Sequence, residues 1–112
     1  MNKARRKEIS LICKRLLSFE SNINKSKSTE DIKDILNNIY QDINFIFWDE
    51  NDYMENIPEN MQNGYRYEKA EKACENLEEA MDSIKEAEEC SNADSMIKCI
   101  KEAIDYLSDA SM

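Results

Sequence analysis

The chain has one proline and one glycine in 112 residues, Pro58 and Gly64, and they stand six positions apart. These residues are the strongest punctuation of a backbone, because proline fixes φ and lacks an amide donor while glycine alone adopts positive φ at little cost. A β-sandwich or barrel needs a turn signal roughly every 8–12 residues, which this chain does not supply. Long helices with one marked interruption, residues 57–64, are the expected solution.

The spacing of apolar residues agrees. Ile9, Ile12, Leu16, Phe19 and Ile23 recur at three and four, one buried stripe on a helix over residues 3–23. After the polar break "NKSKSTEDIKD", Ser28 or Thr29 can cap a second helix, with Glu30 and Asp31 where its dipole favours negative charge. Its stripe is Ile32, Leu36, Ile39, Ile43 and Ile46, and the helix is expected to end near Asn56, since Pro58 biases Ile57 away from helical geometry. From Tyr65 the most regular pattern begins: Ala70, Ala73, Leu77, Ala80, Ile84 and Ala87, a seam of small residues that lets neighbours approach closely, on a helix running to about Glu89. Ser91 or Asn92 can cap a last helix carrying Met96, Ile97, Ile100, Ile104 and Leu107. The expected fold is all-α: one domain over residues 1–112, a small antiparallel bundle of about four helices with a Pro/Gly turn between helices two and three. Three long helices with a fourth appended is the alternative.

The formal charge of −9 is unevenly distributed. Residues 1–27 hold eight Lys/Arg against two Glu, a net +6, and the other 85 residues hold seven basic against 22 acidic side chains, a net −15. Either the basic first helix is matched by an acidic neighbour, or the acidic two thirds offer a face to a basic partner. No run of 18 apolar residues spans a membrane, and "MNKARRKEISLICKRLL" is too polar for a signal peptide, so a cytoplasmic location is expected. The four cysteines are widely spaced, with no Cys-x-x-Cys and no histidine to complete a zinc site, and they read as reduced thiols.

Several chemistries fail on residue type. A di-iron bundle needs Glu-x-x-His pairs, and this chain has no histidine. Glu68-x-x-Glu71, Glu75, Glu78, Glu79 and Asp82 loosely resemble the acidic motifs of Mg-dependent all-α nucleotide pyrophosphohydrolases, but those enzymes bring carboxylates together from different helices. Here all six belong to one helix, outside its apolar seam. "DENDYMENIPEN" fails as a calcium loop, with Tyr53 at the fifth place, Met54 where glycine is required and Asn60 in place of the bidentate Glu. Direct nucleic-acid binding by Lys3, Arg5, Arg6, Lys7, Lys14 and Arg15 is opposed by the acidic remainder. No catalytic residue, cofactor or metal is expected.

Residues 45–67, "FIFWDENDYMENIPENMQNGYRY", hold six of the nine aromatic residues. Phe45, Phe47 and Trp48 can plug the end of the bundle, and Tyr65 and Tyr67 can pack beneath the loop. Four consecutive large residues, Phe45 to Trp48, point around the whole circumference of a helix, so at least one ring is expected outside the core seam. A partner-binding surface is therefore expected at Trp48, Asp49, Glu50, Asp52, Tyr53 and Glu55, rings supplying burial and carboxylates steering.

Residues 55–87, with Asn56, Pro58, Glu59, Asn60 and Gln62 forming an Asn-x-Pro-Glu-Asn-x-Gln turn before a Glu-rich helix, resemble a segment of small acidic helical proteins of Firmicutes phages and mobile elements. The resemblance implies a setting and no catalytic residues. Together these features point to a non-enzymatic acidic protein-binding module. In a phage setting its concrete form is an inhibitor of a host nucleic-acid-targeting defence system, of the anti-CRISPR kind, whose carboxylates replace phosphates on a basic protein such as a nuclease. The competing expectation is a structural or accessory helical protein that forms a homodimer or larger homo-oligomer, and the least favoured alternative is a Mg-dependent all-α nucleotide pyrophosphohydrolase using Glu75, Glu79 and Asp82.

Overall fold

The computed structural model describes residues 1–23 and 29–112, the side chain of Thr29 excepted. They form α1 (Lys3–Asn22), α2 (Thr29–Glu55), a short 3₁₀ turn (Glu59–Met61), α3 (Tyr65–Glu89) and α4 (Ala93–Ala110), with no strand among the described residues. The expected cap of the second helix at Ser28 or Thr29 lies outside what is described.

Each helix packs on its neighbours in chain order, and α4 returns to α1, so the four close into a bundle of 54 × 22 × 18 Å. The long dimension follows from helix length, since 27 residues at 1.5 Å each make α2 roughly 40 Å long. The expected stripes form the core: Ile9, Leu16, Leu36, Ile43, Leu77, Ile84, Ile100 and Leu107 are all fully or almost fully buried.

The alanine seam has the effect its composition implies. Ala70, Ala73, Ala80 and Ala87 are buried, and α3 is the helix packed most closely against its two neighbours. The stripe of α1 carries Ile, Leu and Phe instead, and α1 stands further off.

Helix α2 runs unbroken past Trp48 to Glu55, where the chain has not yet met the proline. Pro58 then opens the 3₁₀ turn, its carbonyl accepting from the Met61 amide at 2.8 Å, and buried Ile57 holds the connection against the bundle. Gly64 makes no use of glycine's freedom to adopt positive φ, since its φ is −87° in extended backbone at the start of α3. Space is the tighter constraint: a Cβ there would lie 3.2 Å from the Met61 carbonyl oxygen, which the Gly64 amide itself bonds. Gln62 Nε2 donates to the Ile57 carbonyl at 3.4 Å and so ties a side chain to the loop backbone. Of the two caps considered for α4, Asn92 does the work, its Oδ1 accepting from the Ser95 amide at 2.8 Å. Asn2 caps α1 in the same way, through the Arg5 amide.

Candidate functional site

The six residues expected on one surface separate into two groups. Trp48, Asp49, Asp52 and Glu55 are exposed on the outward side of α2. Glu50 is fully buried, and its assignment to a partner surface is corrected. The reason is helical phase: Glu50 follows Ile43 and Ile46 at spacings of seven and four, so it continues the core stripe and points inward. Only Oε2 is hydrogen-bonded, by Arg5 Nε of α1 at 2.7 Å, whereas buried Oε1 has no hydrogen-bond partner and is compensated by the charge of the Met1 amino group 3.8 Å away. Arg5, grouped by sequence with the candidate phosphate contacts of the first helix, is thus committed to the interior.

Tyr53 is half-buried above this pair. The guanidinium groups of Arg5 and Arg66 each lie 5.7 Å from its ring centroid, and Arg66 donates to its hydroxyl from Nε at 3.1 Å and from Nη2 at 3.0 Å. Two cations against one ring join the start of α1, the end of α2 and the start of α3. Tyr53 is a structural clasp here.

Phe45, which sequence reasoning assigned to the bundle end, is 76% exposed, and Trp48 is 55% exposed. One turn apart, they share the outward side of α2. Only Phe47 of the three turns inward, where its ring meets Trp48 edge-on with centroids 5.3 Å apart. The expectation that at least one large ring lies outside the core seam holds, for two rings. Leu11 of α1, half exposed, shares with Phe45 a shallow concavity of about 310 Å³ between α1 and α2, bridged by the Arg15–Asp42 ion pair.

Two aromatic–cation contacts fix the register of α2 on α3. Lys85 Nζ lies 5.0 Å from the Tyr40 centroid, and Arg66 lies over Tyr53 at the other end. On α3, Glu68, Glu71, Glu75, Glu78, Asp82 and Glu86 are all exposed, an acid about every turn along a single outward ridge. Glu79 is exposed as well, so all six carboxylates compared with pyrophosphohydrolase motifs lie on the outer surface of one helix. Among the described residues, no group of three or more His, Cys, Asp or Glu is placed to hold a metal ion.

A second concavity, about 620 Å³, lies beneath the α2–α3 connection and is lined by Tyr53, Ile57, Pro58, Met61, Tyr65 and Arg66 among others. Tyr65 was expected to pack under this loop and is 74% exposed, whereas Tyr67 is half-buried. The sequence signal for the groove was the clustering of proline, methionine and tyrosine in one short window.

Charge matching within the bundle is partial. Arg5 and Arg15 pair with acids of α2, and Lys101 of α4 pairs with Glu20 of α1. Lys3, Lys7 and Lys14 stay exposed on α1, while most acids of α3 face outward. The bundle therefore keeps a basic flank and a longer acidic one. No helix among the described residues is long and apolar enough to cross a membrane. Comparison with protein-family models, with curated proteins and with solved structures finds no match to this chain.

Proposed function

We propose that this protein is a non-enzymatic binding module whose partner is a basic protein surface, docked on the outer faces of α2 and α3. The observation that carries the reading is the pair of exposed rings, Phe45 and Trp48, set among exposed Asp49, Asp52 and Glu55 on α2, the helix that packs against acid-rich α3. Exposed aromatic anchors are the side chains that contribute most when a protein interface closes. Carboxylates around them raise the encounter rate with a cationic surface and disfavour acidic competitors. The ridge from Glu68 to Glu86 adds a charge about every 5 Å, of the order of the charge spacing along a nucleic-acid strand. A protein that holds nucleic acid in a basic channel is the partner class this suits. In a phage or mobile-element setting, inhibition of a defence nuclease is its most concrete form.

The test is capture from the native host's lysate by wild type and by Phe45→Ser/Trp48→Ser, at low and high salt. The reading requires a basic nucleic-acid-binding protein retained by wild type at low salt, released at high salt and not retained by the double variant. Equal capture by the variant would overturn the assignment of the rings.

A second reading, self-association, is favoured by a different observation. On the outer face of α1 and α2, exposed Lys7 and Lys14 stand on one helix and Asp49 and Asp52 on the other, with Leu11 and Phe45 between. Such a patch is self-complementary under a two-fold axis that lays α1 of one copy on α2 of the other. Light scattering separates the readings, because a dimer present in wild type and lost in Phe45→Ser would mean that the rings are covered by a second copy.

A further inference from the structure

Cys90 ends α3 and Cys99 lies two turns into α4, with their sulfur atoms 3.9 Å apart. Three features of the sequence bring them together. The connection between the helices is only residues 90–92, Asn92 fixes the start of α4 by capping, and Ala87 and Ala103 are small buried residues that let the two helices close on each other. Cys90 has left the helix, with φ −69° and ψ 137°, and its thiol donates to the Glu86 carbonyl of the last turn at 3.2 Å, the one bond its side chain gives up on turning fully to Cys99. The other two cysteines lie elsewhere, Cys13 on α1 and Cys74 buried in the seam of α3.

We propose that Cys90 and Cys99 form a reversible dithiol–disulfide pair that fastens the C-terminal end of α3 to α4. A disulfide needs its sulfurs about 2.0 Å apart, so the pair must close by roughly 1.9 Å, a distance within reach of side-chain rotation at two half-buried residues. The oxidant is a low-molecular-weight disulfide, RSSR. The Cys90 thiol gives its proton to solvent and its sulfur attacks RSSR, releasing one RS⁻ and leaving a mixed disulfide on Cys90. Cys99 then loses its proton, and its sulfur attacks the Cys90 sulfur, releasing the second RS⁻. Both thiolates take up the protons, so that RSSR and two cysteine thiols become one Cys90–Cys99 disulfide and two RSH.

The order of attack follows from the surroundings. The Cys99 thiol is pushed up by burial, by its hydrogen bond with Cys90 and by the Glu86 carboxylate, which lies 3.9 Å from its sulfur. Cys90 therefore leads and Cys99 resolves, and Glu86 slows the second step. In a reducing compartment the pair stays a dithiol and closes under oxidative load. Closing the ten-residue loop 90–99 restricts the unfolded chain, and the oxidised protein is expected to melt roughly 5–15 °C higher.

The test is incubation of the full chain with oxidised glutathione, read by intact mass without reductant and by peptide mapping. The expected product is a monomer lighter by two hydrogens, carrying no glutathione, with a 90-to-99 cross-linked peptide and a raised Tm. Cys99→Ser should instead accumulate a stable glutathione adduct on Cys90, and Cys13→Ser/Cys74→Ala should oxidise as wild type. Glu86→Gln should shorten the lifetime of the mixed disulfide. Stable adducts on Cys90 in wild type, a cross-link to Cys13 or Cys74, or an unreacted protein would each overturn the proposal; circular dichroism of every variant confirms that a folded bundle was tested.

Discussion

Arg5 and Glu50, 45 residues apart, share a 2.7 Å hydrogen bond that joins the start of α1 to the last turns of α2, with the carboxylate wholly out of water and the Arg5 side chain 13% exposed. A buried ion pair is costly to break and not especially costly to replace, because removing one partner strands a desolvated charge while removing both restores an apolar contact. Glu50→Ala is therefore expected to destabilise the bundle by about 3–5 kcal/mol. Arg5→Met/Glu50→Leu should recover most of that loss. Urea unfolding of the three proteins checks this, and a cost for Glu50→Ala below about 1 kcal/mol would mean that the pair is solvated in solution.

The alanine seam makes an opposite kind of demand, since it has no room to give. Ala80 is fully buried where α3 meets its neighbours. Ala80→Leu adds three heavy atoms to that contact, and overpacking of this kind costs about 1–3 kcal/mol. For a domain of this size the melting temperature should fall by roughly 4 °C per kcal/mol. Glu79→Leu, one position away on the outer face, serves as the control and should stay within about 0.5 kcal/mol of wild type.

What was legible in the sequence was whatever helical period fixes. The four apolar stripes, the close approach enabled by alanine and the interruption at 57–64 all follow from spacing and residue size, and all appear. Period alone also held the answer for Glu50, which extends the Ile43–Ile46 stripe. Its charge drew it into the acidic surface, although a carboxylate in a core phase implies a cation from another helix. Which cation, Arg5 and not Arg15, depends on how far α1 slides along α2, and that register is set by packing between elements. The roles of Tyr53 and Gly64 were hidden for the same reason. One depends on Arg66 reaching across from α3, the other on a carbonyl three residues back folded over the turn.

Phe45 and Trp48 allow folding and binding to be separated. Both rings already face water, so Phe45→Ser and Trp48→Ser should each change stability by less than about 0.5–1 kcal/mol. Phe47→Ser, one residue away but packed against the core, should cost about 2–4 kcal/mol. Denaturation midpoints of the three variants provide the check. If Phe45→Ser proved as damaging as Phe47→Ser, the ring would be part of the core in solution and unavailable as an anchor.

Cys74 sets how stability should respond to alkali. Burial pushes its thiol up to about 12 from an ordinary 9.0, with the negative charges of Glu50 and Glu78 acting in the same direction. Below pH 9 the thiol is protonated in both the folded and the unfolded chain, and its contribution to stability is fully present. Above pH 9 the unfolded chain releases the proton while the folded chain keeps it until about pH 12, so the unfolded state gains and stability declines as pH rises through that window. The limiting slope from this one thiol is about 1.4 kcal/mol per pH unit. Cys13 and Cys99 are raised as well and add to the decline. The urea midpoint of wild type should show no thiol-linked fall from pH 7 to 8.5, where the buried Met1 amino group, its pKa lowered from 8.0, makes stability rise with pH, and should fall between pH 9 and 11. Cys74→Ala should start lower, because it leaves a small cavity, and then fall less steeply; parallel curves for the two proteins would mean that Cys74 ionises in the folded state as readily as in the unfolded one.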